Sequence, residues 1–288
     1  LIKITNKDYS FYTEAEGLSS HCINYLLEDK DKNIWICTDV GLCVFKNEAI
    51  ITFNENSGLP TNMPQSIHEL TDGTIVCGTA PGLSYYNGTR FISIDNIEEV
   101  KNSFITSIAE DDNGLIWLGA NNGMLIVISK KGNKYALQRT VTEVNGEILS
   151  YISEIKKSNS GAIWFASYGQ GLFKYHNNVY TRFSKKEGLQ SDNLQSVFID
   201  SKGNIWMGSN QNGVFKYDGN KFTNYTTANG LADNMVFGIC ENTNGTMFFA
   251  TAEGGLSVFH NNRFVTISTK DGLSSNLILS VKADMQNN

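Results

Sequence analysis

Residues 188–227 read GLQSDNLQSVFIDSKGNIWMGSNQNGVFKYDGNKFTNYTT, and this stretch decides the fold. It contains four short extended runs, at 193–199, 205–209, 213–217 and 221–226. Three polar breaks separate them: Ser201-Lys202-Gly203-Asn204, Asn210-Gln211-Asn212 and Asp218-Gly219-Asn220. Gly and Asn tolerate the positive φ that tight hairpin turns require. The second run, Ile205-Trp206-Met207, is apolar without alternation, as in a strand covered on both faces. The reading is a four-stranded antiparallel unit.

The rest of the chain repeats it. Trp35, Trp117, Trp164 and Trp206 hold one phase, with Val76 and Phe248 filling it elsewhere, at steps of 41, 41, 47, 42 and 42 residues. A Gly stands 18 residues before that phase at Gly17, Gly58, Gly146, Gly188 and Gly230. Four antiparallel strands per period of about 42 residues with an aromatic marker indicate β-propeller blades. The repeats run over about 17–57, 58–98, 99–145, 146–187, 188–229 and 230–271, in a single all-β propeller domain, 1–288. Residues 1–16 match a third and fourth strand, with Leu1 aligned to Val214 and Tyr9 to Phe222. Residues 277–283, within 272–288, match a first strand. The expectation is a seven-bladed propeller whose seventh blade is composite, made from both termini and incomplete because its second strand is absent. Residue 1 falls in mid-repeat, so the chain reads as excised from a longer one.

Composition narrows the partners. The net charge is −6 and the pI about 5.3, with no basic run longer than two residues, which argues against nucleic acid. No apolar window approaches the roughly 18 residues of a membrane span, so this domain is not expected to contact a membrane. Cys22, Cys37, Cys43, Cys77 and Cys240 form no C-x-x-C. Cys37 aligns with Gly78, Gly119, Ala166, Gly208 and Ala250, and Cys77 with Ile36, Leu118 and Phe165, so both read as small core residues.

The motif pattern resembles the two-component regulator propeller repeat over essentially the whole chain. It is carried by Gly58-Leu59-Pro60-Thr61-Asn62, Gly114-Leu115-Ile116-Trp117-Leu118-Gly119 and Gly171-Leu172-Phe173-Lys174-Tyr175. The third repeat departs, with Glu99-Val100 for Gly-Leu. The resemblance implies an extracytoplasmic, periplasmic or extracellular, ligand-sensing domain of a membrane-bound sensor histidine kinase, often a hybrid one governing carbohydrate use. It implies no catalytic activity and no cofactor in the propeller itself. In such sensors an immunoglobulin-like domain, a membrane helix and a signalling module follow.

The residues offer little enzymatic chemistry. His176 and His260 both precede Asn-Asn in turns, His68 lies in a first strand, and His21 stands where Asn62, Asp192, Asn234 and Asn276 stand. No two have metal-ligand spacing with a carboxylate. Asp29, Asp111, Asp112, Asp200 and Glu241 recur at first-strand ends, which indicates turn capping. The spacing from the Trp phase to the Gly of the third strand is 6 residues in the first three repeats and 7 in the last three. The lengthened loops carry Tyr168, Gln170, Asn210, Gln211 and Glu253, and Asp39, Asn121 and Asn122 occupy shorter ones. These eight form the candidate ligand site, because binding residues concentrate on loops of a rigid scaffold. Amides and a Tyr suit a small neutral polyhydroxylated ligand or glycan. A neighbouring domain of the parent sensor or a second copy, as in a homodimer, would use the same face. Three functions compete: a non-catalytic sensor, an interaction scaffold, and a streptogramin-lyase-like enzyme. The last is expected to need a divalent cation and converging His and Glu side chains.

Overall fold

The structure, a computed structural model, describes residues 1–5 and 8–284. Among them are six four-stranded antiparallel sheets, at 23–53, 64–93, 105–141, 152–183, 194–225 and 236–267, each in the order first to fourth strand. These are the blades of an all-β propeller. In blade five the strands are Leu194–Ile199, Ile205–Ser209, Val214–Tyr217 and Phe222–Tyr225, within about a residue of the sequence expectation. The chain divides into two compact units, Leu1 with Tyr12–Lys157, and Ile2–Phe11 with Ser158–Asn288.

In blade five the second strand is fully covered: Ile205 to Ser209 are all buried. Its Trp lies between blades. Trp206 packs with Leu231, Val236, Ile239, Met247 and Phe249 of blade six, and Trp35 with Leu59, Ile67, Ile75 and Cys77 of blade two. The position two residues on must be small because the next blade presses there. A Cβ on Gly78 would sit 2.7 Å from Ile105 Cβ, and one on Gly208 2.6 Å from the Val236 carbonyl oxygen. Cys37 fills the same place, fully buried. At Cys240 burial pushes the thiol up to about 12.

The recurrent carboxylates do two structural jobs. Asp29, Asp111 and Asp200 each accept the indole Nε1–H of the Trp six residues on, at 2.8, 2.9 and 2.8 Å, while the other oxygen caps the turn between. Ser158 replaces the Asp in blade four. One residue earlier, Glu69, Glu110 and Glu241 reach back to the preceding blade's turn. They accept from the backbone N–H of Lys30, Thr71 and Ser201 at 2.9, 2.6 and 2.6 Å. Blade four reverses the polarity, with Lys157 donating to Asp112.

The repeat Gly closes a one-turn 3-10 helix between blades. Thr13, Ser184, Thr226 and Ser268 open such turns as capping boxes with Glu16, Glu187, Asn229 and Asp271. Gly17, Gly188, Gly230 and Gly272 end them at φ between +96° and +112°, a conformation that favours Gly. Gly146 differs. It sits in the turn of an inserted hairpin, Glu143–Val144 with Glu147–Ile148, which accounts for the 47-residue step.

The seventh blade is corrected. Ile2–Thr5 and Asp8–Phe11 form an isolated two-stranded hairpin, and residues 277–283 form no strand, so among the described residues there are six blades and not seven. In every complete blade the second strand lies between the first and the third and hydrogen-bonds to both. Without it the two terminal pieces have no common ladder. Residues 6, 7 and 285–288 of the expected composite blade lie outside the described residues.

Candidate functional site

The loops between second and third strands share a rim with the connections that enter first strands, because backbone bonds join them in blade after blade. Ala80, Asn121, Asn210 and Ala252 donate their N–H to the carbonyls of Met63, Phe104, Asn193 and Met235, each at 3.1 Å. Candidate residues therefore sit beside the residue just before each first strand.

In the second unit, Tyr168 forms an isolated antiparallel bridge with Asn193, and the Asn210 N–H bonds the Asn193 carbonyl. Asn210 Nδ2 donates to the Tyr168 hydroxyl at 3.0 Å. Three segments thus bring Tyr168, Asn193 and Asn210 together, with Tyr168 37% exposed. Gln170 Oε1 accepts from Ser167 Oγ at 3.0 Å, and its carbonyl accepts from Arg182 Nε at 2.9 Å. Gln211 is exposed on the next loop. Glu253 is exposed in blade six, where its N–H bonds Asp233 Oδ2 at 2.8 Å.

In the first unit, Asp39 is exposed in the turn held by Thr38 Oγ1 on the Gly41 carbonyl at 2.8 Å. Asn122 spends its side-chain oxygen on the Met124 N–H at 3.1 Å, and Asn121 is anchored to Phe104 through its backbone. Both Asn residues are exposed.

Sequence reasoning missed the residues between these loops. Thirteen residues before the Trp phase stand Cys22, Met63, Phe104, Tyr151, Asn193 and Met235, and Leu277 continues the series. Met63, Phe104, Tyr151 and Leu277 are 48%, 42%, 43% and 53% exposed. The periodicity that found the Asn one position earlier could have found them. Those neighbours are structural: Asn62, Asp192, Asn234 and Asn276 accept from the N–H that starts the 3-10 turn, at 2.8 to 3.1 Å. His21, in the same place, instead meets Glu14 Oε1 at 3.1 Å.

Other titratable groups lie off this rim. In the first unit Lys156 Nζ pairs with Glu154 at 2.6 Å and accepts company from the Tyr25 hydroxyl, to which it donates at 2.9 Å. The Glu154 and Tyr25 contacts outweigh burial and hold Lys156 well above the usual lysine range. Burial, with Lys156 and Lys157 adding to it, lowers His68 to about 4. His260 Nδ1 meets Thr246 Oγ1 at 3.0 Å. Among the described residues no three His, Cys, Asp or Glu side chains are grouped to hold a metal ion, and no helix is long and apolar enough to cross a membrane.

The profile of a family described as "two component regulator propeller" matches residues 17–40, 99–122 and 188–211, which open the first, third and fifth repeats. Three of the six repeats thus carry the two-component regulator propeller signature. A relative, histidine kinase P4 of Formosa agariphila, is 31% identical over 101 residues, covering 33% of this propeller chain and 7% of the kinase. Among solved structures, the extracellular domain of a putative hybrid two component system from B. thetaiotaomicron superposes with a TM-score of 0.74 at 21% identity, covering 94% of this chain and 37% of that one. Virginiamycin B lyase from Staphylococcus aureus superposes with a TM-score of 0.67 at 15% identity, covering 87% and 86%. At these identities the structural likenesses show the fold alone. The chain spans only a small part of the kinase and about a third of the extracellular domain.

Proposed function

We propose that this chain is a non-catalytic, extracytoplasmic ligand-sensing propeller of a two-component sensor, and that its ligand is a neutral polyhydroxylated molecule such as a carbohydrate. The observation that carries the reading is the meeting of Tyr168, Asn193 and Asn210 on the rim of a chain built from two-component regulator repeats. An exposed ring edged by amides offers stacking for a sugar face and orienting bonds for its hydroxyls. In the first unit, exposed Phe104 is joined to Asn121 in a similar way, the Asn121 N–H bonding the Phe104 carbonyl. The opposite face, with Asp112-Asn113-Gly114 and Asp218-Gly219-Asn220, is occupied by turn caps and clips between blades.

A screen of mono- and oligosaccharides by thermal shift tests the reading. A hit should lose at least about tenfold in affinity on Tyr168→Ala, and little on Asn113→Ala. Affinity that survives the first substitution and falls with the second would place the ligand on the other face. Saturable binding of a neighbouring sensor domain, with no sugar bound, would favour the interaction scaffold.

A further inference from the structure

The rim of the first unit exposes large apolar side chains at one phase. Met63, Phe104 and Tyr151 immediately precede the first strands of blades two, three and four, and all three are exposed. Backbone contacts string them along one arc. The Met63 carbonyl accepts from the Ala80 N–H at 3.1 Å, and Gly82 donates to the carbonyl of Ser103, beside Phe104, at 3.0 Å. The Phe104 carbonyl accepts from Asn121 at 3.1 Å, and two residues on, Gly123 abuts Leu149: a Cβ there would lie 2.1 Å from the Leu149 carbonyl oxygen. Ile148, 76% exposed, extends the arc, with Glu143 as its cross-strand partner. One exposed apolar side chain is ordinary, but the same position exposed in three consecutive blades makes a surface.

The same connections are one-sided in charge. Residues 54–63, 94–104 and 142–151 carry Glu55, Asp95, Glu98, Glu99, Glu143 and Glu147 against Lys101 alone, and the loops 80–82 and 121–123 are uncharged. Glu99 is half-buried and the other carboxylates are exposed. Among the described residues, none of Glu55, Asp95, Glu98, Glu99 and Glu143 forms an ion pair with Lys or Arg. In the second unit the connections into blades five and six, 184–193 and 226–235, are mixed, with Lys185 and Lys186 beside Glu187, Asp192 and Asp233. Their residues at the exposed phase are Asn193 and a half-buried Met235.

We propose that the arc of the first unit docks a cationic, amphipathic peptide segment, in which lysines or arginines are interleaved with apolar side chains. The carboxylates set the sign of the partner: like charges gathered on one surface repel one another, and a cation relieves that repulsion. Met63, Phe104, Tyr151 and Ile148 set its other half, because they gain cover only under apolar groups. Phe104 and Tyr151 add ring faces for a cation, and the flexible Met63 adapts to what lies on it. Charge attraction reaches about 8 Å at physiological ionic strength, so it steers the encounter while apolar burial holds the complex. A second copy of this chain is a poor match, since its longest basic run is two residues. The inference does not rest on the ligand reading, which is carried by Tyr168, Asn193 and Asn210 of the second unit.

The probe is a short fluorescent peptide of leucine and lysine in equal proportion, titrated into the whole chain and read by anisotropy, with amide hydrogen exchange to locate it. Binding should saturate and should weaken at least about tenfold when salt is raised to about 0.5 M. Exchange should slow at 102–105 and 149–152. Phe104→Ser combined with Tyr151→Ser should lower affinity about tenfold, and so should Glu98→Gln combined with Glu143→Gln and Glu147→Gln. Unchanged exchange in the second strands Ile75–Thr79 and Leu115–Ala120 reports that the variants are folded. A leucine–glutamate peptide and a lysine–serine peptide should each bind at least about tenfold more weakly. Equal affinity for the three peptides, affinity that survives both sets of substitutions, protection centred away from the arc, or no saturable binding would overturn the proposal. So would self-association in sedimentation equilibrium that the Phe104 and Tyr151 substitutions abolish and the peptide does not displace, because the occupant would then be a second copy.

Discussion

Replacing one indole by a phenyl ring tests the Asp–Trp bond that ties each first turn to its blade. Trp206 and Trp164 are matched surroundings with one difference. They are 2% and 5% exposed, stacked on Tyr225 at 5.9 Å and Phe183 at 5.7 Å, and covered by Lys216 at 5.2 Å and Lys174 at 5.3 Å. Trp206 Nε1 donates to Asp200, whereas Ser158 stands at the equivalent position below Trp164 and bonds Ser160 and Ala162. Trp206→Phe and Trp164→Phe remove similar apolar area, so that loss largely cancels in their difference. The remainder is a buried hydrogen bond to a charged acceptor, worth roughly 1.5–3 kcal/mol. Asp200 keeps its bonds to the N–H groups of Lys202 and Asn204 and to Asn204 Nδ2. The expected excess cost of Trp206→Phe is therefore about 2 kcal/mol, or about thirtyfold in a local opening constant. Native-state hydrogen exchange reads that opening blade by blade, which suits a repeat fold whose unfolding need not be two-state. In an Asp200→Ala background the excess should vanish. Equal costs at the two tryptophans, or a coupling below about 0.5 kcal/mol in the cycle, would refute the role assigned to Asp200.

Other expectations follow from single residues. His68 is held neutral, its pKa lowered to about 4 by burial and by Lys156 and Lys157, against about 6.5 unfolded. The unfolded chain then binds the proton first, so this contribution is intact above pH about 6.5 and lost as pH falls toward 4, by up to about 3 kcal/mol. Urea midpoints across that window should fall more steeply for the parent than for His68→Gln; parallel curves would show that His68 is not buried neutral. Gly213→Ala puts a Cβ 2.1 Å from the Tyr225 carbonyl oxygen at φ +76°, while Gly219→Ala, at φ +95°, meets nothing within 4 Å. The first should cost at least about 3 kcal/mol and the second about 1 kcal/mol, and similar denaturation midpoints would contradict the packing. Glu241→Gln should loosen the Ser201 turn of the preceding blade, seen as faster exchange at the Ser201 amide with blade two unaffected.

The blade was legible from Gly188 to Thr227 because its determinants are local. Turn residues with positive φ, an apolar second strand and an aromatic marker act within one period, and six repetitions average out departures such as Val76 and Phe248. The small residue after the Trp was also readable as a pattern, though only the neighbouring blade shows why it is needed. The blade count was not legible. Ile2–Thr5 and Asp8–Phe11 find their ladder in each other, but 277–283, which also match a strand pattern, form a strand only if a second strand supplies the ladder. The candidate site divides in the same way. Loop lengths pointed to Tyr168 and Asn210, while the long-range backbone bonds to Asn193 decided that they meet. Glu253 lies on an equivalent loop of blade six, held by Asp233. The repeat period marks the positions of Phe104 and Tyr151, but their exposure is a property of the packed chain, which alone distinguishes an uncovered aromatic on a rim from one sealed between blades.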